Sequence, residues 1–146
     1  MRSELIELIR SEKLCVLATV GNGSPHSSLM SYAASEDCSR LYLASSRNTR
    51  KYLNLLANVA VSVLIDSRRQ AETAAGLSSV RALTIRGTSV MPLAEAERKE
   101  AEKLLIQRHP GLTGFFRAAD TEIIAVNIDE VQFLSGLVEV FRESKS

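Results

Sequence analysis

Two spacings of apolar residues take turns along this chain. In residues 1–13, Leu5, Ile6, Leu8 and Ile9 recur at helical spacing among alternating acids and bases, which predicts an amphipathic helix. A strand-like run, LCVLATV at 14–20, follows and stops at the turn formers GNGSP. HSSLMSYAA (26–34) returns as a second arm. After the polar SEDCSR, LYLAS (41–45) adds a third, so three antiparallel strands in meander order are expected.

Helical spacing comes back at 48–58, where Tyr52, Leu53, Leu55 and Leu56 form one apolar face between Asn48 as N-cap and Asn58 as a left-handed stop. Then the period drops to two: Val59, Val61, Val63 and Ile65 alternate with smaller or more polar neighbours, the mark of a strand with one face in the core. Residues 67–79 lack periodicity and read as a mobile loop with room for a short helical turn. A long strand resumes at 80–91, in which Gly87 signals a bulge, a bend or the close approach of something flat.

The clearest helix is 92–109, with Pro92 near its start, Glu95 and Glu97 in its early turns and Arg108 and His109 at its end. Residues 122–129 and 131–141 supply two more strands or one long bent pair. Six or seven strands joined by short connections, with helices early, midway and late, make the fold mainly β: a closed or partly open antiparallel barrel with helical caps. No repeat or linker interrupts 1–146, so one domain is expected.

Composition narrows the chemistry. No apolar run approaches the ~18 residues of a membrane span, so no membrane association is expected. The N-terminal segment has the pattern of an amphipathic helix, not of an export signal, and Cys15 and Cys38 have no paired spacing; reduced thiols in a cytoplasmic protein are the expectation. Eighteen Lys and Arg against 17 Asp and Glu leave a net charge of +1, and aromatic residues make up 5%, which argues against nucleic acid as a partner. The two histidines, His26 and His109, have no companions at metal-ligand spacing, so no metal site is expected. Phosphate loops of the G-x-x-x-x-G-K-[ST] and G-x-G-x-x-G kinds are missing, as is a G-x-S-x-G elbow.

One stretch stands out against this plain background. In SSRNTRKYLNL, Arg47, Arg50 and Lys51 crowd the start of a helix whose first turn already carries the positive end of the macrodipole. Such charges make sense if an anion sits among them, held by free backbone N–H groups near Thr49 to Lys51 and by the hydroxyls of Ser45, Ser46 and Thr49. Arg50 offers a planar fork and Lys51 a point charge, a pair suited to a phosphate monoester. The competing reading is a solvated basic corner that carries a small energetic cost and binds nothing.

In order and spacing, PHSSLMSYA, LYLAS, SRNTRKYLNL, VAVSVLID and the later strand ending IRG resemble the pyridoxamine 5'-phosphate oxidase-related, FMN-binding split-barrel proteins. The resemblance spans roughly residues 5–130 and is strongest over 24–66. It implies that Arg50 and Lys51 carry the FMN phosphate with help from Thr49 beside Asn48, that Ala44 and Ser45 lie beside the flavin, and that the isoalloxazine rests against His26, Ser27, Ser28, Leu29 and Met30. It implies further a homodimer with the flavin in the groove between two barrels, Gly87 and its strand being part of the partner's contribution.

Two departures matter. Where the family's oxidases place a second phosphate-binding Arg at the start of this strand, the chain has His26 or Ser27, with Arg47 a candidate substitute. Their C-terminal substrate-binding segment is also missing, since the chain finishes LVEVFRESKS and Arg142 lacks the surrounding pattern, so oxidation of vitamin B6 is not expected. The leading expectation is an FMN-dependent oxidoreductase acting on a small redox substrate, with NADH or NADPH a candidate donor and no side chain needed as a strong acid or base. The alternatives are a flavin-binding carrier or sensor without turnover, and a haem-binding or haem-degrading barrel with His109 as iron ligand.

Overall fold

A computed structural model describes residues 2–136 and 138–144. Helix α1 (Ser3–Ser11) buries Leu5, Leu8 and Ile9, the stripe its spacing announces. Strands β1 (Leu14–Gly21) and β2 (Ser24–Ser31) form a hairpin, and both turn residues, Asn22 and Gly23, take positive φ, as a two-residue turn of matching twist requires. Next come β3 (Ala33–Ala34), β4 (Arg40–Ser46), α2 (Arg50–Ala57) and β5 (Ala60–Asp66). Two short 3-10 turns at Arg68–Glu72 and Gly76–Ser79 fill the aperiodic stretch before β6 (Arg81–Val90). Helix α3 (Glu95–Arg108) begins three residues after Pro92, and β7 (Thr121–Ser135) and β8 (Val138–Ser144) close the chain.

All pairs are antiparallel, in the order β2-β1-β5-β6-β7-β4-β3, with β8 paired to β7. The expected meander is therefore wrong in one respect: β2 never pairs with β4. The chain breaks at Tyr32, whose fully buried ring and hydroxyl, donating to the Ile9 carbonyl, anchor it in the core. On leaving Tyr32 the chain pairs with β4, at the far end of the strand order. Segments one residue apart in sequence thus occupy opposite edges of one sheet, which is possible only if the sheet curls until its edges approach. The result is the mainly β, partly closed barrel that the alternation of spacings implied.

Strand β7 is one continuous 15-residue strand, not two. Its first half pairs with β4, its second half with β8, and both halves pair with β6. Gly87 marks a bulge in β6, and a Cβ there would lie 2.5 Å from the Asn127 carbonyl oxygen. What comes close to Gly87 within the chain is its own β7. The main core fills the barrel; a second, smaller one joins Ala101 and Leu105 of α3 to Tyr42, Ile123 and Ala125 on the sheet.

Candidate functional site

The basic corner forms where β4 hands over to α2. Its N-cap is Thr49, not Asn48: the Thr49 Oγ1 accepts from the Tyr52 N–H and donates to the Ser46 carbonyl. At the other end Asn58 is extended, not left-handed. Ser45 Oγ, fully buried, lies 3.0 Å from both the Ser46 carbonyl and Thr49 Oγ1. Ser46 Oγ donates to Asp120 Oδ2, which also takes the Asn48 side-chain amide. The three hydroxyls that sequence reasoning offered to an anion are thus engaged in holding the turn together.

Arg47 is engaged as well. Its guanidinium donates to the Ala119 carbonyl at 3.0 Å and reaches Glu122 at 3.3–3.4 Å. It clamps the corner to the start of β7. Asp120 and Glu122 lie more than 70 residues downstream, where no local pattern could connect them to this turn.

Arg50 and Lys51 are different. Neither has an acidic partner or a side-chain hydrogen bond among the described residues, and the first turn of α2 contains no acid. The Tyr52 and Leu53 N–H groups are capped by Thr49, while those of Arg50 and Lys51 have no acceptor among the described residues.

Helix α2 is fixed at this corner by β1. Asn54 Nδ2, buried, donates to Thr19 Oγ1 at 3.0 Å, and a Cβ on Gly21 would come within 2.0 Å of Asn54 Oδ1. The expected apolar face is only partly used: Leu55 is buried, but Leu53 and Leu56 are 57% and 63% exposed. His26 stands opposite Thr19 and Ser28 opposite Leu17, so both face the side on which α2 sits. Met30, opposite Cys15, is buried in the core. Ser27 and Leu29 face outward, away from α2. The second edge of β2 has no paired strand among the described residues, which leaves backbone donors and acceptors in line there.

A second region lies on the outer wall. A cavity of about 630 Å³ is bounded by the end of α1, β1, β2, β5, the first 3-10 turn and His109. His109 Nε2 is 2.7 Å from the Tyr32 carbonyl. A carbonyl only accepts, so Nε2 carries the proton and a neutral ring keeps its lone pair on Nδ1. Arg108 donates to the Glu12 carbonyl and lies over the Tyr32 ring, 5.7 Å from its centroid. Cys15 also borders the cavity; burial pushes its thiol up to about 12, which keeps it protonated and unreactive near neutrality.

A family model described as pyridoxamine 5'-phosphate oxidase matches residues 1–135. No curated protein matches the chain. Among solved structures, a heme binding protein from Mycobacterium smegmatis superposes with a TM-score of 0.79 at 17% identity, over 100% of this chain and 59% of that one. This chain therefore spans about three-fifths of the mycobacterial protein. HutZ, a heme storage protein from Vibrio cholerae, gives 0.76 at 20% identity and 97% coverage of both chains. A FAD-binding protein from Mesorhizobium loti gives 0.71 at 18% identity, over 91% of this chain and 94% of that one. At these identities the likeness is one of fold.

Proposed function

Because the chain belongs to the pyridoxamine 5'-phosphate oxidase family, we propose that it binds FMN and serves as an FMN-dependent oxidoreductase on a substrate other than vitamin B6. The observation that carries this reading is the pair Arg50 and Lys51, cationic at a helix start with no acid in its first turn and no carboxylate partner among the described residues, while neighbouring Arg47 is fully engaged. The Arg50 fork and the Lys51 ammonium take the phosphate with the adjacent N–H groups, and the Ser45, Ser46 and Thr49 hydroxyls hold the turn that aims them. The free edge of β2 supplies backbone partners for the polar rim of the ring, with His26 and Ser28 on the side toward α2. When bound, the flavin supplies acceptance of a hydride or of electrons, from NADH, NADPH or another donor. Exposed Leu53 and Leu56 beside the cations support a homodimer that covers the flavin.

The test is an FMN fluorescence titration of the wild type and of Arg50→Ala/Lys51→Ala. Two charge-assisted contacts of about 1.5–3 kcal/mol each predict an affinity loss of about 100-fold or more with an unchanged circular dichroism spectrum. Unchanged affinity refutes the assignment.

A haem reading has its own observation: His109 borders the cavity of about 630 Å³ and its Nε2 is occupied by a backbone carbonyl, the usual arrangement for a histidine whose other nitrogen faces a metal. Haem titration of His109→Ala decides it. A Soret band displaced by the substitution supports axial ligation, and an unaltered one removes His109 from the account.

A further inference from the structure

Leu29, Val16 and Leu64 stand directly opposite one another on three adjacent strands, and all three point to the outer face of the barrel wall. Leu14 continues the row along β1. Outer positions of an antiparallel sheet are ordinarily polar, yet here Leu29 is 69% and Leu14 50% exposed. Three strands at about 4.8 Å spacing make this an apolar floor about 10 Å wide. The cavity of about 630 Å³ above it falls within the range of small-molecule pockets, roughly 300–1,000 Å³.

The rim is charged and mostly self-neutralised. Asp66 takes two nitrogens of Arg68 at 2.8 Å, and Glu12 lies 3.8 Å from Arg69. Lys13 has no acidic partner among the described residues, so the uncompensated charge at the rim is a cation. These ion pairs come from the ends of α1 and β5 and from the first 3-10 turn, and they line the same cavity as the floor. That enclosure suits a molecule no wider than three strands better than the flat face of another protein.

We propose that this groove binds a planar, largely apolar molecule carrying one carboxylate, its ring lying on the Leu29–Val16–Leu64 floor and its carboxylate at the Lys13 ammonium. The site uses neither Arg50 nor Lys51 and stands apart from the flavin reading; Leu29 is the residue the two share, and the test leaves it untouched. The probe is 2-naphthoate, titrated by its own fluorescence into flavin-free full-length protein, with uncharged 2-naphthylmethanol as comparator.

Saturable one-to-one binding of naphthoate is expected. Lys13→Glu should weaken it about tenfold or more while leaving naphthylmethanol unchanged. Val16→Glu should abolish binding of both, and Leu64→Thr, which places a β-branched residue suited to a strand at that position, gives the same readout in milder form if Val16→Glu fails to fold. No saturable binding by the wild type, equal losses of both probes on Lys13→Glu, or unchanged affinity in Leu64→Thr overturns the proposal. Loss of naphthoate in Arg50→Ala/Lys51→Ala also overturns it, by placing the probe in the flavin corner; failure of FMN to bind leaves it standing.

Discussion

Strand β1 runs between two regions that solve opposite problems. At its Gly21 end, where α2 docks, nearly every polar group is used by the fold: Thr19 by Asn54, Ser45 by Thr49, Ser46 by Asp120, Arg47 by Glu122. What remains there is charge, in Arg50 and Lys51. At its Leu14 end the charges are largely paired off, and what remains is apolar surface. Proteins rarely leave either commodity unspent without a ligand to take it, and the two remainders ask for different chemistry: a phosphate at one end, an apolar ring at the other.

The contrast breaks most visibly through stability. At the sealed end, Gly21→Val forces a side chain into Asn54 Oδ1, which a bare Cβ already meets at 2.0 Å, and Asn54 is pinned by its bond to Thr19. A loss of about 3 kcal/mol in urea unfolding is expected. At the open end, Leu64→Thr on the half-buried outer face should change stability by less than about 0.5 kcal/mol. Comparable losses in both variants would mean that the groove is as tightly packed as the corner.

Next in size is Thr19→Val. It preserves shape but leaves the buried Asn54 amide without its acceptor, at an expected cost of about 1–3 kcal/mol. Because Asn54 positions α2, the same variant should weaken FMN binding, whereas naphthoate binding at the far end of β1 should persist.

This division also explains what could be read from the chain alone. The strands with strict alternation, such as Val61, Val63 and Ile65, and the helix stripe Leu5, Leu8, Ile9 were legible because a period reports which side of an element meets a core. The strand order was not, since it turns on the burial of the single residue Tyr32, which has no period. In α2 the spacing of Leu53 and Leu56 suggested a buried face, but spacing does not say whether a partner lies within the chain or outside it. At the candidate site, Arg50 and Lys51 were legible because they violate a local rule, the macrodipole preference. Asp120 and Glu122 were not, because their contribution to the corner depends on β7 pairing with β4.

Acid sharpens the comparison from the groove side. The Arg68 hydrogen bond, against an opposing effect of burial, holds the Asp66 carboxyl below its ordinary 3.8. A carboxyl with a depressed folded value stabilises above its unfolded value and loses that contribution as the pH falls through the folded one. Amide hydrogen exchange of residues 67–79 should therefore accelerate relative to α2 as the pH falls below about 4, and Asp66→Asn should remove the step. The effect is modest, since the Arg68 side of the pair is largely exposed and screened by solvent. Equal acceleration in α2 would show that the two ends of β1 do not open separately.

The smallest expected effect is the most discriminating, because it concerns sign. Arg47→Ala deletes contacts to Ala119 and Glu122 and should lower stability by about 0.5–1 kcal/mol. Arg50→Ala/Lys51→Ala deletes no ion pair or side-chain hydrogen bond among the described residues and relieves two cations at the positive end of a helix, so stability should rise by about 0.3–1 kcal/mol at low salt, with the gain shrinking as salt screens the dipole. Thermal unfolding at two salt concentrations measures both. A residue whose removal helps the fold is there for something other than the fold, whereas a loss of stability in the double variant would mean that these cations are structural after all and that the corner needs no phosphate to account for them.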